Sequence, residues 1–155
     1  MKNAIGLNAE KSKKLAELLN DLLANYQLFY INTRGFHWNI TGDKFFELHA
    51  KFEELYTDAL GKVDELAERI RTLEQTPLHS FTAYLKQSSI KEASNITDGI
   101  ESVKKVLEGF KILLEKEREL LKVAEDAGDE GTASMMSDYI REQEKLVWMY
   151  SAFLK

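Results

Sequence analysis

The chain has no cysteine among its 155 residues, a single proline (Pro77) and only eight glycines. Without cysteine there is no disulfide, no thiolate metal site and no thiol nucleophile. A reducing compartment fits, and a cytoplasmic location is the expectation. So few helix breakers leave room for long, uninterrupted helices. No apolar run approaches the ~18 residues of a membrane span, and the first residues lack the basic segment and apolar core of a secretory signal. Several catalytic signatures are also missing: there is no His-Glu-x-x-His pair, no P-loop and no serine-nucleophile motif. Basic charge is outweighed, with 21 Lys and Arg against 26 Asp and Glu for a net charge of −5. Such a surface repels nucleic-acid phosphate. The small basic cluster of Lys2, Lys11, Lys13 and Lys14 reads as the solvated face of the first helical turns.

What is present is helical periodicity. Leu15, Leu18, Leu19, Leu22, Tyr26 and Phe29 form one apolar stripe; Phe45, Leu48, Phe52, Leu55, Ala59, Val63, Leu66, Ile70 and Leu73 form a second. Ile100, Val103, Val106, Leu107, Phe110, Leu113, Leu114 and Leu121 form a third, and Met136, Ile140, Val147, Tyr150 and Leu154 a fourth. Each stripe has charged residues opposite it, as the helices of a bundle require. Thr41-Gly42-Asp43 reads as the first turn. Pro77, Ser80 and Gln87-Ser88-Ser89 mark a long link, in which Phe81, Tyr84 and Leu85 predict a short extra helix covering apolar surface. Thr97 is expected to begin the third long helix, Ala127-Gly128-Asp129 to end it, and Thr132 to cap the fourth. The predicted class is all-α: a four-helix bundle with a long crossover between helices 2 and 3. A long crossover of this kind is the ferritin-like topology. One domain over 1–155 is expected, with residues 1–7 as a short N-terminal tail.

The chemistry-bearing residues are His37, His49, Asp64 and Glu68. Taken singly each is ordinary: a histidine at a helix end, or two acids on a solvated face. Together they ask for a metal. On one unbroken helix the two histidines would stand ~18 Å apart, but both are equidistant from residue 43, so a hairpin there sets them face to face. Asp64 and Glu68 are at i and i+4 and share one helical face. Two imidazoles with carboxylate oxygens suit Fe(II), and Zn(II) or Mn(II) less selectively. His49 and Asp64 lie on the same helix, ~22 Å apart along its axis. The two halves therefore meet only if two copies of helix 2 pack antiparallel across a two-fold axis, giving two sites per dimer. The Glu-x-x-His motif of an intra-bundle di-iron centre is missing, since Arg34, Phe46 and Thr76 stand three residues before the histidines. His79, beside Pro77, reads as a surface residue.

The run FHWNITGDKFFELHAKFEELYTDALGKVDELAERI resembles the signature of the Dps family, the ferritin-like mini-ferritins of starved bacterial cells. The helix plan and the ending Trp148-Met149-Tyr150-Ser151-Ala152-Phe153-Leu154 extend the likeness over nearly the whole chain. The resemblance implies a homo-oligomer, a hollow dodecamer. It also implies an iron ferroxidase that oxidises Fe(II) with hydrogen peroxide in preference to dioxygen, stores the ferric mineral inside and so protects against oxidative stress. By position, His37 and His49 of one subunit and Asp64 and Glu68 of its neighbour would be the ligands. Glu53 would be an adjacent carboxylate for a second ion or a bridging water. Glu53 and Glu54 would nucleate mineral, and Trp38 would intercept oxidising equivalents. Asp126, Asp129, Glu130 and Asp138 are the acidic candidates for an iron-entry pore, with Ser134 where many relatives carry an acid. The competing reading is a DNA-compacting starvation protein with secondary iron chemistry. DNA-binding members mostly use Lys/Arg-rich tails; here Lys2 is the only charged residue before the first helix, and the sequence stops at Lys155. DNA binding is accordingly expected to be weak or absent.

Overall fold

Asparagine and aspartate set the starts of three of the four long helices. In the computed structural model, which describes residues 1–155, the elements are α1 (Ala9–Asn39), α2 (Phe45–Thr72), α3 (Phe81–Gln87), α4 (Gly99–Asp126) and α5 (Glu130–Phe153). Asn8, Asp98 and Asp129 each accept a hydrogen bond from an otherwise orphaned N–H in the first turn of α1, α4 and α5. Two expected boundaries are thereby corrected. Asp98 caps α4 in place of Thr97, and Asp129 caps α5 while Thr132 is the residue it caps. Helices α1 and α2 form one hairpin, α4 and α5 a second, and α1 packs against α4 to join them. Gly109 allows that approach, because a Cβ there would stand 2.8 Å from the Phe29 ring. The core runs the length of the bundle through residues such as Leu19, Leu23, Phe52, Leu66, Leu113 and Met136, all fully buried. No helix is long and apolar enough to cross a membrane.

Residues before α1 do not hang free. Met1 O accepts the Ala9 N–H at 2.9 Å, and Asn3 accepts from Leu7 N and donates to Ser12 Oγ, so the expected tail is folded as a turn against the start of α1. The crossover is held by three asparagines of α1. Asn20 bonds Thr76 O and Leu78 N; Asn25, fully buried, accepts from Ser88 Oγ, Ser89 N and Ile90 N; Asn32 bonds Lys91 O and Ala93 N. These side chains supply the partners that an irregular segment must find for its backbone. Helix α3 forms as expected and covers apolar surface through Tyr84, which packs half-buried against the core, while Phe81 at its start is 86% exposed.

The bundle centre carries a polar layer contributed by all four long helices. Tyr26 of α1 donates to Glu117 Oε2 of α4 at 2.5 Å and accepts from the Gln143 amide of α5. Tyr139 of α5 packs edge-on against Tyr26 at 6.0 Å and donates to Glu65 of α2 at 3.0 Å. Glu117 has no exposure, and its Oε1 has no protein partner. Burial is the main cause that pushes its carboxyl up to about 7 from the ordinary 4.5, against the lowering pull of the Tyr26 and Gln143 hydrogen bonds. A carboxyl raised by folding stabilises the fold as the neutral acid. That contribution is complete below pH 4.5 and is lost as the pH rises through about 7. From the size of the shift, stability should fall by roughly 3 kcal/mol across that window. The Glu117→Gln variant, neutral at every pH, should lack this decline. Urea midpoints of both proteins measured from pH 4.5 to 8 check it, and parallel curves would refute it.

Candidate metal centre

The turn at residues 40–44 brings α2 back along α1, and Gly42 takes the positive φ (108°) that the reversal requires. The Thr41 N–H bonds Thr97 O at 2.9 Å, tying this turn to the end of the crossover. Across the hairpin the His37 and His49 rings stack at 3.8 Å between centroids and 14° between planes. Each ring is fixed by the backbone of the other: His37 Nδ1 lies 2.7 Å from His49 O, and His49 Nδ1 lies 2.7 Å from His37 O. A carbonyl oxygen only accepts, so both Nδ1 atoms carry the proton. Both Nε2 atoms are left as lone pairs, the tautomer that a metal needs, held by an outer hydrogen bond as ligating histidines usually are. Phe45 stacks on His49 at 5.0 Å and Tyr56 meets His37 edge-on at 5.2 Å, so neither ring is free to swing.

Asp64 and Glu68 stand exposed further along α2. The hydrogen bond with Asp64, and then its charge, raise the Glu68 carboxyl above its ordinary range, with a smaller part from desolvation. Two carboxylates that share a proton form a place where a cation can replace it. Neither arginine beside them is available: Arg69 turns to Asp129 and Arg71 to Gln75 O. Within one protomer no group of three or more His, Asp or Glu converges on a metal-sized position. The structure thus brings the two histidines together, brings the two acids together, and leaves the halves apart.

The remaining expected residues divide. Glu53, one turn beyond His49, is exposed with no ion partner, and Glu54 pairs with Lys51 at 3.1 Å. Trp38 is 60% exposed and lies under the Arg34 guanidinium at 4.8 Å, so in the protomer it is no core residue. His79 is exposed as expected, with Nδ1 donating to Pro77 O. Asp126, Glu130 and Asp138 are exposed. Asp129 is a correction: it is 2% exposed, pairs with Arg69 at 2.6 Å and caps α5, so its carboxylate faces the bundle and not a pore. Sequence reading also missed the Tyr26–Glu117–Gln143 layer. The signal was there, since Glu117 falls in the α4 apolar register after Phe110 and Leu113, and Gln143 falls in that of α5 between Ile140 and Val147.

The Ferritin-like domain family model matches residues 16–155. A DNA protection during starvation protein from Porphyromonas gingivalis is 43% identical over 148 residues, covering 96% of this chain and 93% of that protein. The crystal structure of a Dps protein from Vibrio cholerae superposes with a TM-score of 0.98 at 60% identity, covering 99% of this chain and 97% of that one. It is described as a member of a broad superfamily of ferritin-like diiron-carboxylate proteins. A Dps protein from Bacillus brevis gives a TM-score of 0.92 at 40% identity, covering 96% and 100%. Matched by the family model over residues 16–155 and by these relatives over almost its whole length, the chain belongs to the ferritin-like family as a Dps protein.

Proposed function

We propose that this protein is a ferroxidase and iron store. Its centre is completed between two subunits by His37 and His49 of one and Asp64 and Glu68 of the other. The stacked pair of Nδ1-protonated histidines carries this reading, because it presents two fixed lone pairs and no third ligand within the protomer. The register of a two-fold partner follows from the sequence. Halfway between His49 and the Asp64/Glu68 pair lies the turn around residues 57 and 58, and antiparallel α2 helices crossing there bring each His pair onto a partner's acids. That face is apolar where it needs to be: Phe46 is 81% and Leu60 51% exposed, while Gly61 leaves open space for close approach.

The substrate Fe(II) binds the imidazoles and carboxylates with positions left open for the oxidant. Glu53 is placed, four residues after His49, to hold a second ion or a bridging water. Hydrogen peroxide is the preferred oxidant. It takes two electrons from two ferrous ions and reaches water without releasing hydroxyl radical. The ferric product moves to acidic positions such as Glu53 and Glu54 and is stored inside a hollow dodecamer, with Asp126, Glu130 and Asp138 drawing Fe(II) inward. The net charge of −5 per chain favours the cation cargo over DNA, so tight DNA binding forms no part of this function.

The test is the rate of ferric iron formation after anaerobic loading with Fe(II), followed by stoichiometric peroxide or by dioxygen alone. Fast oxidation that consumes two ferrous ions per peroxide is expected. Acceleration by neither oxidant would overturn the reading.

A further inference from the structure

Arg34 is the one arginine of the five that has neither a carboxylate nor a carbonyl partner in the protomer. Arg69, Arg118 and Arg141 pair with carboxylates, and Arg71 donates to Gln75 O. Arg34 is half-buried, with its guanidinium held between the Tyr30 ring at 5.0 Å and the Trp38 ring at 4.8 Å. One of its amino groups donates to the Tyr30 hydroxyl at 2.7 Å, and its Nε is buried without a partner. A guanidinium does not give up its charge, and a partly buried one without a counter-ion is costly. Asp64 and Glu68 have the opposite deficit. They crowd each other on α2, and the two arginines beside them are engaged elsewhere.

Register brings the two deficits together. On the α1–α2 hairpin His37 stacks on His49 and Tyr30 meets Tyr56, so Arg34 between them is level with Phe52. Two α2 helices that cross antiparallel at residues 57 and 58 set position 64 of the partner level with position 51. Only ~1.5 Å of axial rise then separates the partner's Asp64 from Arg34. The partner's Glu68 falls level with position 47, beyond the histidines, so Asp64 is the acid that Arg34 meets.

We propose that Arg34 is the positioning residue for the partner's Asp64. Its free amino group holds one oxygen of that carboxylate across the two-fold and aims the other at the Nε2 atoms of His37 and His49. The role rests on the shared-centre reading above. A carboxylate has two oxygens, so it can accept from the guanidinium on one edge and ligate an ion on the other. In the iron-free shell the contact neutralises both charges and keeps the acid from turning out to solvent. When the ion arrives, its carboxylate ligand is already oriented.

The test has two parts, both on the iron-free assembled protein. The chain has no cysteine, so the double variant Arg34→Cys with Asp64→Cys carries the only thiols. A short bifunctional maleimide should convert it to covalent dimers on a denaturing gel. Either single variant should stay monomeric, because like positions on the two chains lie roughly 16 and 20 Å apart along the helices. Titration with Co(II), whose visible bands report binding without turnover, then reads affinity. Arg34→Gln is expected to bind Co(II) about 10–100-fold more weakly, the usual loss when a ligand's outer partner is removed. In an Asp64→Ala background the same change should cost little more. Absence of covalent dimers overturns the proposal. So does a Co(II) affinity that is unchanged in Arg34→Gln, or that falls equally in both backgrounds, which would mark Arg34 as packing alone. Ferric iron formation by the wild type is followed separately. Protein that cross-links and binds Co(II) as expected but oxidises no iron would overturn the ferroxidase reading and leave the Arg34–Asp64 contact standing.

Discussion

Two inactive variants, His37→Ala and Asp64→Ala, should recover iron oxidation when their subunits are mixed and reassembled. Each variant alone is expected to lose rapid oxidation by at least two orders of magnitude, since outer hydrogen-bond partners alone already cost 10–100-fold and these residues are the proposed ligands. Their shells should still assemble, because Asp64 is exposed and His37 is a buried polar residue outside the 27-residue hydrophobic core. In a dimer of one variant with the other, one site loses both its His37 and its Asp64. The second site takes its histidines from the Asp64→Ala chain and its acids from the His37→Ala chain, and is whole. Random mixing makes half the dimers mixed, each with one intact site, so about a quarter of wild-type activity should return. A centre built within one chain would recover nothing. The initial rate of ferric iron formation after reassembly, set against either variant alone, decides between them, and a mixture no faster than its parents would remove the shared site.

The stacking of His37 on His49 was legible from the sequence because the turn at Gly42 sits midway between them, and hairpin symmetry is a property of residue count. The separation of the acids from the histidines was legible for a similar reason: the rise of a helix is fixed. What sequence spacing did not carry was partner choice. Asn20, Asn25 and Asn32 read as polar positions on a helix, and only the folded chain shows them gripping the crossover backbone at 2.8–3.1 Å. Glu117 interrupts an apolar stripe, a local conflict of the kind that marks functional sites, yet its meaning depends on Tyr26 and Gln143, 91 residues before it and on the next helix. Helix α3 divides: Tyr84 packs against the core as its spacing suggested, but Phe81 meets solvent in the protomer, because amphipathic spacing says that a face seeks a partner and not that the partner is in the same chain.

Asp129 separates a structural acid from a pore acid, and its replacement by alanine should cost about 3–5 kcal/mol, the usual penalty for breaking a buried ion pair from one side. Three interactions end at this carboxylate. It accepts from Arg69 at 2.6 Å, from the Thr132 N–H at 3.0 Å and from the Thr132 hydroxyl at 2.6 Å. Arg69 also donates to Thr132 Oγ1 at 2.9 Å, so α2 is bolted to the α4–α5 turn through one network. Loss of Asp129 leaves a guanidinium that is only 18% exposed without its counter-charge and removes the α5 cap, itself worth ~1 kcal/mol. The double variant Arg69→Met with Asp129→Ala should recover part of the loss, because no charge is then stranded. Iron uptake by folded Asp129→Ala protein should match wild type, since its carboxylate has 2% exposure from which to attract Fe(II). Thermal unfolding together with uptake rates distinguishes the roles. An unchanged midpoint with slowed uptake would return Asp129 to the pore, and a midpoint lowered by several degrees with normal uptake would fix it as the pin that holds the α5 start against α2.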